Sequence, residues 1–156
     1  MQHAPGNSND TAKAWRKRLM EACATATTDE LSAFVANHAA DEAIYAVRGP
    51  ETGLVMVRGR IGGGGSPFNL GEATMSRATI RLTGGEIGHG QCLGTNRQHA
   101  RLAAIVDALG QKPELEAATA SLVGMIEKRV AAEDARSAAQ TAATRVDFFT
   151  MVRGED

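Results

Sequence analysis

Apolar residues recur along this chain at two different spacings, and the change between them divides it into helical flanks and a β-rich middle. From Asp10 to about Ala24 the spacing is helical, with Asp10 as N-cap, Ala14, Arg18, Leu19 and Ala22 at helical intervals, and Trp15 as the expected anchor. A second helix is expected from Thr28 to about Ala39. Thr27 and Glu30 stand at capping-box spacing, and Leu31, Phe34 and Val35 form its apolar stripe.

The period then shortens. Ile44 to Arg48 and Leu54 to Ile61 are β-rich runs flanking GPETG, which reads as a hairpin turn because Pro50 and Gly53 favour the required backbone angles. Gly62 to Gly65 reads as a flexible loop. Ala73 to Leu82 and Glu86 to Leu93 follow as two more strands joined across Thr83-Gly84-Gly85. Together these predict a small antiparallel meander of about four strands.

Helical spacing returns at Thr95. Thr95 and Gln98 repeat the capping-box interval, and Leu102, Ile105, Val106 and Leu109 recur at i, i+3, i+4 and i+7. Pro113 then opens a long alanine-rich helix from Glu114 to about Ala143, whose narrow stripe of Leu115, Leu122, Ile126 and Val130 suits an exposed or partner-facing helix. The fold class expected is α+β, with helices packed on one side of the sheet.

Three segments follow from this reading. Residues Met1 to Asn9 are small and polar and are expected to be a disordered leader; residues 10–143 form one domain; residues 144–156 stand apart. In VDFFTMV the apolar residues do not alternate: Val146, Phe148 and Val152 would point one way along a strand, Phe149 and Met151 the other. Both faces then want cover. The segment either packs back on its own domain or docks into another subunit. Arg145, Asp147 and Arg153, bracketing Phe148, Phe149 and Met151, match the aromatic and arginine enrichment of interfaces and favour docking.

Composition narrows the function. The 156 residues are 43% hydrophobic, enough for a core without disulfides or metal staples. Seventeen basic against eighteen acidic side chains give a net charge of -1, which removes the footprint of a general nucleic-acid binder. Cys23 and Cys92 are too few for a disulfide framework, no signal-sequence pattern precedes them, and no apolar run approaches the ~20 residues that cross a bilayer. A cytoplasmic chain without membrane contact is expected.

TRVDFFTMVRG at Thr144 to Gly154, ETGLV at Glu51 to Val55, GEATMSRA at Gly71 to Ala78 and GTNRQHARLAAIVDAL at Gly94 to Leu109 together resemble the PhnG family, the small subunit of the bacterial carbon-phosphorus lyase core complex. The likeness spans roughly Tyr45 to Gly154 with the motifs in order. The resemblance implies a place in phosphonate catabolism. There an alkylphosphonate displaces adenine from MgATP to give ribose 1-alkylphosphonate 5-triphosphate. It implies partners as well: a nucleosidase-type subunit, a radical SAM iron-sulfur subunit, a related small subunit and ATP-binding-cassette-type accessory proteins. MgATP is then substrate of the complex rather than a cofactor of this chain. With two cysteines the chain lacks the triplet an iron-sulfur cluster needs.

The resemblance implies no agreed catalytic residue for this subunit, so the candidates rest on chemistry. Displacing a base at the ribose C1′ passes through an oxocarbenium-like state that wants a carboxylate, an acid for the leaving base and cations for the phosphate groups. Glu72 and His99 are the candidate catalytic groups, and Arg77 and Arg97 candidate anion binders that could share one polar site with them. The bland alternatives are a solvated strand face for Arg77 and Arg81, an ion pair for Glu72, and a surface or interface hydrogen bond for His99. Arg58 and Arg60 alternate on one strand face beside the glycine loop and form a second candidate anion site, which would also suit a free-standing anion-binding module. The glycine loop lacks the Lys-Ser/Thr of a P-loop. His89, Cys92 and His99 are metal-ligand types, but their spacing matches no zinc signature, and no metal is expected.

Overall fold

The computed structural model describes residues 8–143 as four α-helices and a three-stranded antiparallel sheet in the order β1-β2-β3. The elements are α1 (Ser8–Thr25), α2 (Thr28–His38), β1 (Ile44–Arg60), β2 (Pro67–Leu82), β3 (Ile87–Leu93), α3 (Arg97–Leu109) and α4 (Glu116–Ala143). Short 3-10 turns at Ile61–Gly63 and Pro113–Leu115 precede β2 and α4. The α+β class stands as expected, and α1 begins at Ser8, two residues inside the expected leader. Met1 to Asn7 and the whole docking segment, including Arg145, Asp147, Phe148, Phe149, Met151 and Arg153, lie outside the described residues.

The sheet has three strands where about four were expected, because GPETG does not reverse the chain. β1 runs straight through it, and the register against β2 slips between Ala46 and Arg48 and again between Arg48 and Glu51. The turn-forming residues are absorbed as bulges. Pro50 is tolerated because β1 is an edge strand, so the missing N–H costs no second ladder. The reversal comes at the glycine run instead, where Gly62 at φ +62° and Gly63 at φ +76° adopt a backbone that side chains resist. The turn after β2 falls where expected, with Gly85 N donating to Leu82 O at 3.0 Å.

β2 alternates as a half-buried strand should: Ser76, Ala78, Ile80 and Leu82 are buried against the helices, while Arg77 and Arg81 are exposed on the opposite face. In β3 the buried positions are Gly88, Gly90 and Cys92. A methyl group at Gly88 would meet the Ala104 carbonyl and lie 2.7 Å from Ala108 N, and one at Gly90 would meet the backbone of Ala100 and Ala104. Glycine here lets α3 lie directly on the strand.

α3 is the centre of the molecule. Besides the expected Leu102, Ile105, Val106 and Leu109, its Ala103, Ala104, Ala108 and Asp107 are buried, because α1 and α2 cover the side that the sheet does not. Each large aliphatic side chain so buried contributes about 1.5–3 kcal/mol. Its N-cap is Asn96 rather than Thr95: Asn96 Oδ1 accepts from His99 N at 2.9 Å and Asn96 Nδ2 donates to Thr28 Oγ1 at 3.1 Å. An asparagine one residue later caps as well and also reaches α2.

The Thr27–Glu30 capping box forms as expected. Glu30 has a second task, taking both Arg129 Nε at 2.8 Å and Arg129 Nη2 at 3.1 Å, which ties α4 to α2. Leu122, Val123 and Ile126 are the buried stripe of α4. Beyond Val130 every described side chain of this helix is exposed, so its last three turns run clear of the body.

Candidate functional site

The residue types singled out for chemistry fall on four separate parts of the fold. Arg77 projects from the open face of the sheet, directly opposite Glu51 on β1. Glu51 Oε1 accepts from Arg77 Nε at 2.7 Å and from Arg48 Nε at 2.8 Å. The Arg77 hydrogen bond, with the Arg48 charge behind it, holds the Glu51 carboxyl below its ordinary range. Arg77 thus pairs with Glu51, not with Glu72.

Arg97 opens α3 and reaches the other face of the sheet. Its Nε donates to Thr52 Oγ1 at 3.2 Å, Thr52 and Ser76 hydroxyls lie 2.9 Å apart, and Ser76 Oγ donates to Gly94 O at 2.9 Å. A carbonyl only accepts, so the Ser76 proton is committed to Gly94 and the Thr52 hydroxyl supplies the proton between the two side chains. The hydrogen bonds run in one direction, from Arg97 through Thr52 and Ser76 to Gly94. They pin the loop before α3 to β1 and β2 around a serine that is fully buried.

His99 is 5% exposed, and its Nε2 lies 2.8 Å from the Cys23 carbonyl. Nε2 therefore carries the proton and donates it, which fixes the tautomer. The imidazole joins α3 to α1 and edges an open cleft of about 400 Å³ shared with Cys92, Met75 and Asn96. Burial raises both thiols: Cys23 is pushed up to about 12, and Cys92 is raised as well.

Glu72 sits opposite Met56, exposed, beyond the part of the sheet that the helices cover. Five residues along a strand put Glu72 and Arg77 on opposite faces and roughly 17 Å apart. Glu72, Arg77, Arg97 and His99 therefore do not converge on one polar site. Arg58 and Arg60 are exposed near the tip of the β1–β2 hairpin, and Arg60 Nη1 donates to Gly65 O at 3.0 Å. His89 faces outward, its Nδ1 3.2 Å from Thr79 Oγ1. Cys92 is buried on the other face. Among the described residues no group of three or more His, Cys, Asp or Glu side chains could hold a metal ion.

One residue escaped the sequence reading. Asp107 is 0% exposed in the middle of α3, and its carboxylate accepts from Arg16 Nε at 3.0 Å, Arg16 Nη2 at 2.8 Å and His89 N at 2.8 Å. Arg16 Nη2 also donates to Ile87 O at 3.0 Å, as does Gln111 Nε2 at 2.8 Å. The outer edge of β3 is thereby closed by side chains of α1 and α3. The only signal in the sequence was a charge one position from Val106 in a segment otherwise filled with alanine and aliphatic residues.

Two comparisons bear on this arrangement. The family model described as "Phosphonate metabolism protein PhnG" matches residues 14–154. The alpha-D-ribose 1-methylphosphonate 5-triphosphate synthase subunit PhnG of Rhizobium meliloti (strain 1021) is 58% identical over 158 aligned residues, which cover 100% of both chains. No helix among the described residues is long and apolar enough to cross a membrane.

Proposed function

The chain belongs to the PhnG family of phosphonate metabolism proteins, and from that premise we propose that it is an assembly subunit of a multi-subunit ribose 1-methylphosphonate 5-triphosphate synthase. The observation that carries this reading is the end-to-end 58% identity to a protein named as a subunit of that synthase. The site geometry supports a structural rather than a catalytic part. Arg77, Arg97 and His99 each hold elements of this chain together, and no acid, carboxylate and cation meet in one pocket among them.

In this reading MgATP is substrate of the whole complex, and adenine leaves as the phosphonate takes its place at the ribose C1′. The nucleosidase-type subunit supplies the glycosidic chemistry, and the radical SAM subunit and the ATP-binding-cassette-type proteins act beside it. This chain supplies surfaces. The C-terminal segment, with Phe148 and Phe149 between Arg145 and Arg153, is the first of them.

Two experiments test the proposal. Adenine release from MgATP and methylphosphonate by the co-expressed subunits should be lost when this chain is omitted; undiminished release would refute membership in the synthase. Deleting residues 145–156 should abolish co-purification with the other subunits, and unchanged assembly would remove the tail from the account. A second reading is favoured by Glu72 alone, an exposed carboxylate away from the helix-backed body. If Glu72→Ala stops product formation while assembly persists, the chain contributes directly to adenine displacement.

A further inference from the structure

Large apolar side chains left in water are concentrated on one part of this molecule. Of eleven exposed large hydrophobic residues among those described, six lie between Leu54 and Leu70: Leu54, Met56, Val57, Ile61, Phe68 and Leu70. These residues belong to the distal half of the β1–β2 hairpin, past Thr52 and Ser76, where β3 and the helices no longer back the sheet. Exposure reaches 64% at Leu54 and 76% at Ile61. A two-stranded ribbon is marginal in water by itself, and soluble proteins do not carry such a patch without use for it.

We infer that this arm is a docking element that seats in an apolar, carboxylate-rimmed groove of another subunit of the synthase, separately from the C-terminal segment. The inference rests on the subunit reading above. Its argument for the partner's chemistry is charge. Arg58, Arg60 and Glu72 are the charged residues from Leu54 to Glu72, so the arm carries a net positive charge in a chain whose net charge is -1. Arg58 and Arg60 flank the apolar patch near the tip, where rim carboxylates of a partner would meet them. A second copy of the chain answers this poorly: two arms side by side would bring four guanidinium groups together against only the two Glu72 carboxylates. Among the described residues no strand pairs the outer edge of β1, so a partner strand can add backbone hydrogen bonds to side-chain burial.

Hydrogen exchange on the full chain, alone and in the co-purified complex, tests the inference. The amides of residues 54–60 and 67–72 should exchange at least tenfold more slowly in the complex than in the free chain. Exchange in the complex no slower than in the free chain would overturn the proposal. Leu54→Asp with Met56→Asp should cut co-purification at least tenfold. Arg58→Glu with Arg60→Glu, which leaves every apolar side chain in place, should do so at low salt. A wild-type chain that forms no complex sinks the subunit reading and this inference with it. A wild-type complex matched by both variants sinks the arm alone.

Discussion

Replacing Arg16 with methionine isolates the value of the closed β3 edge. The substitution removes two of the three hydrogen bonds to the Asp107 carboxylate and leaves that group fully buried with only His89 N. Removing one partner of a fully buried ion pair costs about 3–5 kcal/mol. Here the Arg16 side chain is 39% exposed, so water can reach the vacated side, and about 2–3 kcal/mol is the expected loss. For a chain of this size that lowers the thermal midpoint by roughly 5–10 °C. Urea unfolding followed at 222 nm should show a lower midpoint with an unchanged slope. Arg18→Met is the control, because Arg18 and Glu127 pair with side chains 55% and 43% exposed, and its midpoint should stay at the wild-type value. The double variant Arg16→Met with Asp107→Asn should be no less stable than Arg16→Met, since the uncompensated charge is gone. An Arg16→Met midpoint no lower than that of Arg18→Met would refute the reasoning.

Two further outcomes follow from titrating groups. Arg129 holds the Glu30 carboxyl below its ordinary value of 4.5, so Glu30 contributes stability that is complete above that value and is lost as pH falls through its lower folded-state value. Acid unfolding should therefore be less steep below pH 4.5 in Arg129→Met than in the wild type, and equal slopes would contradict the pairing. Burial pushes the Cys23 thiol up to about 12 and raises Cys92, so neither should react with a thiol reagent at pH 8 until the chain unfolds. Labelling mapped to Cys23 in the native protein would refute its buried placement.

What the sequence by itself determined was whatever local chemistry decides. The Thr27–Glu30 box, the stripe of Leu102, Ile105, Val106 and Leu109, and the Thr83-Gly84-Gly85 turn all formed where their spacings placed them, because each is stabilised by residues within a few positions of one another. Local chemistry also misled where two structures share it. Gly49, Pro50 and Gly53 suit a turn and a bulged edge strand equally, and only pairing with β2 chose the bulge. Asn96 prevailed over Thr95 as a cap because Thr28 of α2 was there to accept its amide.

The candidate site was less legible still. His99 stood as a candidate catalytic group with a surface or interface hydrogen bond as the alternative, and Asp107 passed unremarked. Their partners, Cys23 and Arg16, lie 76 and 91 residues away and become neighbours only when α1 closes over α3. Arg77 found Glu51 across the hairpin for the same reason. The tertiary structure alone decided that the helices stop short of the hairpin's distal half. The sequence reading placed Leu54 and Met56 in a strand and left Phe68 and Leu70 without an element, and whether such residues are core or interface depends on what lies over them.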